Sequence, residues 1–174
     1  VGSEMCIRDR AATKNEALTF TGRGTSSHMT IASDASFCPG GDISRTGIVI
    51  MWMGSVIHWV CKKQTLATLS SCEAELSASI HGLKIGLGIR SVAEELIGRV
   101  LLELQGDNMA MIQTILNEVT SWRSRHYAVR ASWARGTVKE QKVNLRHVPG
   151  TEIVAAPLTK VLAGPELPKA RKKL

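Results

Sequence analysis

Hydrophobic and polar positions alternate with a period of two over HMTIASDASF, residues 28–37, which predicts a first strand, ended by the turn-forming run Cys38-Pro39-Gly40-Gly41. Two runs rich in β-branched residues and Trp follow, TGIVIMWMG and SVIHWVCKK, and the Gly54-Ser55 dipeptide between them fits a two-residue hairpin. The period then becomes helical. Leu76, Ile80, Leu83 and Leu87 recur at helical spacing behind Ser70-Ser71-Cys72-Glu73, which has the S-x-x-E form of a capping box. Gly82, Gly86 and Gly88 each cost about 1 kcal/mol relative to Ala, so a kink or break is expected before Val92 to Ile97 resume. After Gly98, RVLLELQGD reads as a strand ending at Asp107, and Asn108 can cap a short helix through Leu116. A second helical stretch carries Trp122 to Arg135, KVNLRHV predicts a last strand, and Ile153 to Leu162 a closing helix. The order β-β-β-α-β-α-β-α predicts an α/β fold, a five-stranded mixed sheet flanked by helices.

The length of 174 residues and 44% hydrophobic content suit one domain with a single buried core. A net charge of +7 and a pI near 9.5 favour an acidic partner, for which nucleic acid is the usual candidate. Composition alone leaves that open, since many basic domains never meet nucleic acid. Cys6, Cys38, Cys61 and Cys72 show neither a C-x-x-C pair nor zinc-type His spacing, so reduced intracellular thiols are expected. The longest apolar stretch, Thr46 to Val60, is interrupted by Gly54, Ser55 and His58 and falls short of the ~20 residues of a membrane helix. A soluble chain is expected.

The first ten residues, VGSEMCIRDR, resemble a translated sequencing adapter and are set aside, while residues 11–28 read as a polar connector. The folded domain is expected over residues 29–163, followed by a basic tail over 164–174.

Five blocks in order carry a more specific resemblance: SDASF, KKQTLATLSSCEAELSAS, DNMAMI, SRHYAVR and HVPGTEIVAAPLTKVL. Together they are similar to the ribonuclease H domain that ends the polyprotein of copia-type retrotransposons. The resemblance implies a ribonuclease H-like fold and hydrolysis of the RNA strand of RNA·DNA hybrids. It also implies two Mg²⁺ ions, for which Mn²⁺ can substitute, and an upstream reverse transcriptase to which the domain was once fused. Location in the cytoplasm, a retroelement particle or the nucleus would be compatible with it, and no membrane partner is expected.

Asp34, Glu75 and Asp107 fall at the ends of segments read as strand, helix and strand, and match the family's metal-holding acids position by position. The chemistry needs carboxylates, because two hard cations about 3.5 to 4 Å apart clamp the attacking water and the leaving oxygen. Read alone, Asp34 could be a turn acid and Asp107 a residue favoured by a helix dipole. Glu73 and Glu75 lie about 200° apart on a helix and cannot face one site together, and the wheel does not choose between them. Capping already accounts for Glu73, and the A-E-L context selects Glu75 through the resemblance.

The departure lies in the closing block. The family carries A-D-x-L-T-K, whose Asp helps to hold the metal, whereas this chain reads Ala155-Ala156-Pro157-Leu158-Thr159-Lys160, and Ala156 has no ligand oxygen. Glu152 is a weak substitute. Ala128 and Ser132 stand where the family has Asp and His. Seven basic residues between Val119 and His147 (Arg123, Arg125, Arg130, Arg135, Lys139, Lys142 and Arg146) face the single acid Glu140, and form either a phosphate-tracking surface or a solvated helix face. Two function classes follow: an endonuclease acting on RNA·DNA hybrids, and a catalytically dead nucleic-acid-binding relic. An integrase-type relative is disfavoured because Glu75 precedes Asp107.

Overall fold

The computed structural model describes residues 15, 20, 27–38, 43–117 and 127–160. Five strands form one sheet: β1 (His28–Ser36), β2 (Arg45–Trp52), β3 (Ser55–Lys63), β4 (Leu101–Gly106) and β5 (Asn144–His147). Their spatial order is β3-β2-β1-β4-β5. β1 runs antiparallel to β2 and parallel to β4, so the sheet is mixed, as the element order predicts. The helices are α1 (Ser71–Ile97), α2 (Met109–Leu116) and α3 (Ala128–Glu140). No helix of the described residues is long and apolar enough to cross a membrane.

Alternation along β1 divides its side chains between two faces. Met29 and Ile31 enter the larger core with Ile48, Ile50, Leu76, Leu83, Leu102 and Leu104, and Ser33 meets Ser79 of α1 at 2.9 Å. Ala32 faces the other way, into a smaller core with Val49, Val56, Val148, Ile153, Ala155 and Ala156. Asp34 follows Ala32 on that second face, at the strand's C-terminal end.

Four expectations need correction. The hairpin turn is Met53-Gly54, not Gly54-Ser55: both turn residues have positive φ (53° and 74°), as a turn matched to the strand twist requires, and Ser55 already pairs with Trp52. Helix α1 is unbroken across its glycines because two of them let it lie directly on β1. A Cβ at Gly82 would stand 2.8 Å from Ile31 Cγ2, and one at Gly86 would stand 2.8 Å from Ile31 Cγ1. The close contact with Ile31 offsets the loss of helix propensity. The fourth strand ends at Gly106, one residue short of Asp107. The closing segment, through Lys160, forms one 3-10 turn at Ala156–Leu158, because Pro157 has no N–H to continue an α-helical ladder.

Other elements sit as predicted. Ser70 caps α1, its hydroxyl accepting the N–H of Glu73 at 3.2 Å, and Glu73 Oε2 accepts the N–H of Leu69 at 2.8 Å. Asn108 caps α2 through Met111 N–H at 2.9 Å. Helix α3 continues five residues beyond Arg135, to Glu140. The adapter-like segment, most of the connector, Asp42, Trp122, Arg123, Arg125, His126 and the basic tail lie outside the described residues.

Candidate metal centre

Parallel pairing of β1 with β4 sets Ala32 against Gln105, so two residues further along each chain Asp34 and Asp107 emerge at the same end of the sheet. Helix α1 crosses that end with Glu75 just past its first turn, held down by the Ser70 cap and by Leu76 in the core. The three carboxylates converge: one oxygen from each lies within 4.8 Å of the others. Asp34 and Glu75 are buried and Asp107 is half-buried. The three residues that the sequence singled out are thus brought together, whereas the alternative helix acid, Glu73, turns away to Arg130 at 3.0 Å.

Burial and mutual repulsion load this cluster. Glu75 Oε1 accepts the N–H of Ala35 at 3.1 Å, but Oε2 is buried with no hydrogen-bond partner. Burial, then the charges of Asp34 and Asp107, push the Glu75 carboxyl up to about 8. Burial also raises Asp34, with a smaller contribution from Asp107, while the Thr159 hydroxyl and the Lys160 ammonium act in the opposite sense. Three crowded carboxylates with an orphan oxygen form a donor set that fits a hard divalent cation, since such an ion neutralises the repulsion and completes Glu75 Oε2. Asp34, Glu75 and Asp107 are the residues that would hold it.

Close packing frames the cluster. The Thr159 hydroxyl donates to Asp34 Oδ2, a contact the sequence reading missed although the L-T-K string was in view. Gly150 passes so near Asp107 that a Cβ there would stand 2.6 Å from Oδ2. Ala156 is buried in the second core, its carbonyl accepting from the amide groups of Thr159 and Lys160 at 3.2 and 3.3 Å and its own N–H donating to the Ile153 carbonyl at 3.3 Å. Glu152 is exposed and stands outside the carboxylate cluster.

The basic residues divide differently from the expectation. Arg130 is held by Glu73 and by Ser77 at 2.9 Å, and Arg135 donates to the carbonyls of Thr114, Ile115 and Asn117 at the end of α2. Both therefore serve the packing of α3. Lys139 is exposed on α3 with no such tie among the described residues, and Arg146 meets Glu103 at 3.6 Å. A cleft of about 250 Å³ opens instead between the β3 edge and α1, lined among others by Lys62, His81, Lys84 and Arg130. Burial and the neighbouring Lys62, Lys84 and His58 lower the affinity of His81 for a proton. No sequence motif marked this cleft, because its cations come from three elements.

This architecture, with three carboxylates at one end of a five-stranded mixed sheet, is the ribonuclease H fold. The compost-metagenome protein LC11-RNase H1 has the same fold, with 13% identity and a TM-score of 0.56 over 84% of this chain and 92% of that one. In its crystal structure with an RNA/DNA hybrid, it matches 70% of this chain and 85% of its own at a TM-score of 0.53 and 14% identity. The prototype foamy virus protease-reverse transcriptase matches at a TM-score of 0.54 and 12% identity, over 83% of this chain and 22% of that one.

The resemblance in sequence is borne out as well. The chain is 28% identical over 120 residues to the retrovirus-related Pol polyprotein from transposon TNT 1-94 of Nicotiana tabacum. That match covers 68% of this chain and spans 9% of the polyprotein. No protein-family model matches the chain.

Proposed function

We propose that this chain is a ribonuclease H-type endoribonuclease of a retrotransposon polyprotein, hydrolysing the RNA strand of RNA·DNA hybrids with Mg²⁺ held by Asp34, Glu75 and Asp107. The observation that carries the reading is the convergence of those three carboxylates within 4.8 Å at one sheet end. When bound, the divalent cations supply charge neutralisation at the scissile phosphate and a water acidic enough to attack it. The chain's own groups do the rest. Asp34 and Glu75, buried and oriented by Thr159 and by Ala35 N–H, present fixed oxygens, and Asp107 closes the third side. Lys160 offsets part of the negative charge of the acids.

The duplex needs cationic support beyond that centre. The cleft at Lys62 and Lys84 offers it, together with the exposed Lys139 on α3. Arg123 and Arg125 remain part of the proposed surface. The likeness to a Pol polyprotein and to a foamy virus protease-reverse transcriptase supports fusion to an upstream reverse transcriptase. The folded unit is taken as residues 29–163.

A second reading rests on Ala156, which places a methyl group where the resemblance has a metal-holding Asp. On that reading the fold binds hybrids and no longer cuts them. Incubating the protein with a labelled RNA·DNA hybrid in Mg²⁺ and in Mn²⁺ separates the two. Cleavage by the parent and none by Asp34→Asn supports the endonuclease, and hybrid binding without cleavage in either metal supports the relic.

A further inference from the structure

The carboxylate of Asp34 has one hydrogen-bond partner among the described residues, the hydroxyl of Thr159, 125 positions further along the chain. Asp34 is 2% exposed and Thr159 8% exposed, so water has little access to replace that contact. Two independent features set the hydroxyl in place. The 3-10 turn directs it, with Thr159 N–H donating to the Ala156 carbonyl at 3.2 Å. The turn also lies directly on Gly47, the residue paired with Asp34 across β1 and β2. A Cβ at Gly47 would stand 2.8 Å from the Thr159 methyl, 2.9 Å from the Ala155 carbonyl oxygen and 3.0 Å from Leu158 Cβ. Any side chain at position 47 would therefore lift Thr159 from Asp34.

The hydroxyl has one proton and two acceptors in reach, the Asp34 carboxylate and the Ala156 carbonyl at 3.1 Å. The ionised acceptor forms the stronger bond and takes the proton. With Oδ2 fixed in this way, Asp34 cannot swing about its side-chain torsions, and its carboxylate stays turned toward Glu75 and Asp107.

We propose that Thr159 is the positioning residue of the metal centre, holding Asp34 in its cation-binding orientation, and that Gly47 is the gap in β2 that lets it do so. Ala156 sharpens the consequence. The closing turn offers no ligand oxygen of its own from that position, so it acts on a cation through the Thr159 hydroxyl. This inference rests on Asp34, Glu75 and Asp107 forming a cation site.

Binding of Mn²⁺ to the full 174-residue protein, followed by loss of the free-ion paramagnetic resonance signal, tests it without recourse to activity. Thr159→Val keeps the shape and the methyl but deletes the hydroxyl, and should weaken Mn²⁺ binding roughly tenfold, as loss of an outer-shell partner typically does. Thr159→Ser keeps the hydroxyl and should bind within about twofold of the parent, on the same expectation. Gly47→Ala should weaken binding like Thr159→Val, which keeps the test open if the valine variant fails to fold. Parent-like binding by Thr159→Val or by Gly47→Ala overturns the proposal. So does a serine variant as weak as the valine one, because methyl packing would then be the cause. A parent that binds no Mn²⁺ removes the metal centre itself and this proposal with it, an outcome distinct from the others.

Discussion

Glu75 Oε1 accepts the backbone N–H of Ala35 at 3.1 Å, and this single bond holds a carboxylate whose other oxygen is buried without a partner. Burial and the charges of Asp34 and Asp107 raise the Glu75 carboxyl from its ordinary 4.5 to about 8. Between those two values the folded protein retains a proton that the unfolded chain has released. Stability of the metal-free protein is therefore greatest below pH 4.5, as far as this group is concerned, and is lost as pH rises toward 8. Thermal unfolding in EDTA should show a melting temperature that falls across this window, with a shallower fall in Glu75→Gln. A cation must displace the same proton, so Mg²⁺ affinity should rise with pH over the same range. An unfolding profile equally steep in parent and variant would locate the pH dependence elsewhere.

Removing a charge from the cluster should stabilise the empty site while destroying its use. Asp34→Asn relieves the repulsion on Glu75 and leaves an oxygen to accept the Thr159 proton. A gain of about 1 kcal/mol corresponds to roughly 2–4 °C in melting temperature for a chain of this size. The variant should melt higher than the parent in EDTA, gain no further stability from Mg²⁺, and lose hybrid cleavage by at least about a hundredfold, more than 2.7 kcal/mol of barrier. A variant that melts lower in EDTA would mean that Asp34 supports the fold rather than strains it.

The sheet was legible because β1 alternates, β2 and β3 are runs rich in β-branched residues and Trp, and their turns carry Gly and Pro, so each strand could be read from its neighbours in sequence. Asp34, Glu75 and Asp107 were legible through the motifs around them, although a helical wheel could not separate Glu75 from Glu73. The structure separates them by what lies 57 residues beyond Glu73, the Arg130 guanidinium. The same long range hid the roles of Arg130 and Arg135, which read as free basic residues on a helix and are held by Glu73 and by the carbonyls ending α2. The glycines of α1 misled for a related reason, since propensity counts their cost and cannot see Ile31 beneath them. Thr159 was missed because its partner on β1 is a tertiary neighbour.

The α1 glycines divide into two kinds that substitution can tell apart. A Cβ at Gly86 would press into Ile31, whereas a Cβ at Gly88 would meet nothing within 4 Å. Gly88→Ala should stabilise the protein by up to about 1 kcal/mol through helix propensity. Gly86→Ala gains the same propensity but overpacks the core, and should destabilise by about 1–3 kcal/mol. Urea unfolding of the two variants gives the comparison, and equal effects would show that α1 does not rest on β1 as closely as described.

Glu73 provides the control for the choice of metal-holding glutamate. Its carboxylate caps the α1 start through Leu69 N–H and pairs with Arg130, whose side chain is one-third exposed. Glu73→Ala should lower stability by about 1–2 kcal/mol, mostly as lost capping with a screened ion-pair contribution. Mn²⁺ affinity should stay within about twofold of the parent, a change below 0.5 kcal/mol. Loss of metal binding in this variant with stability unchanged would reverse the assignment of Glu73 and Glu75.

Ala156 offers the most informative restoration. Its methyl lies in an apolar pocket with Val49, Val148 and Ile153, yet the same turn delivers Thr159 to Asp34. An aspartate there without metal would add a fourth acid, at a buried position, to a crowded cluster, and Ala156→Asp should unfold more readily than the parent in EDTA, by about 1–3 kcal/mol. With Mg²⁺ the added oxygen becomes a ligand, so the stability deficit should shrink or invert as the cation concentration rises, and cleavage of the hybrid should increase at low Mg²⁺. Thermal unfolding against Mg²⁺ concentration reads both effects on one axis. If the deficit in Ala156→Asp persists at saturating Mg²⁺, the turn does not bring position 156 within reach of the cation, and the loss of that aspartate cannot be what limits this chain.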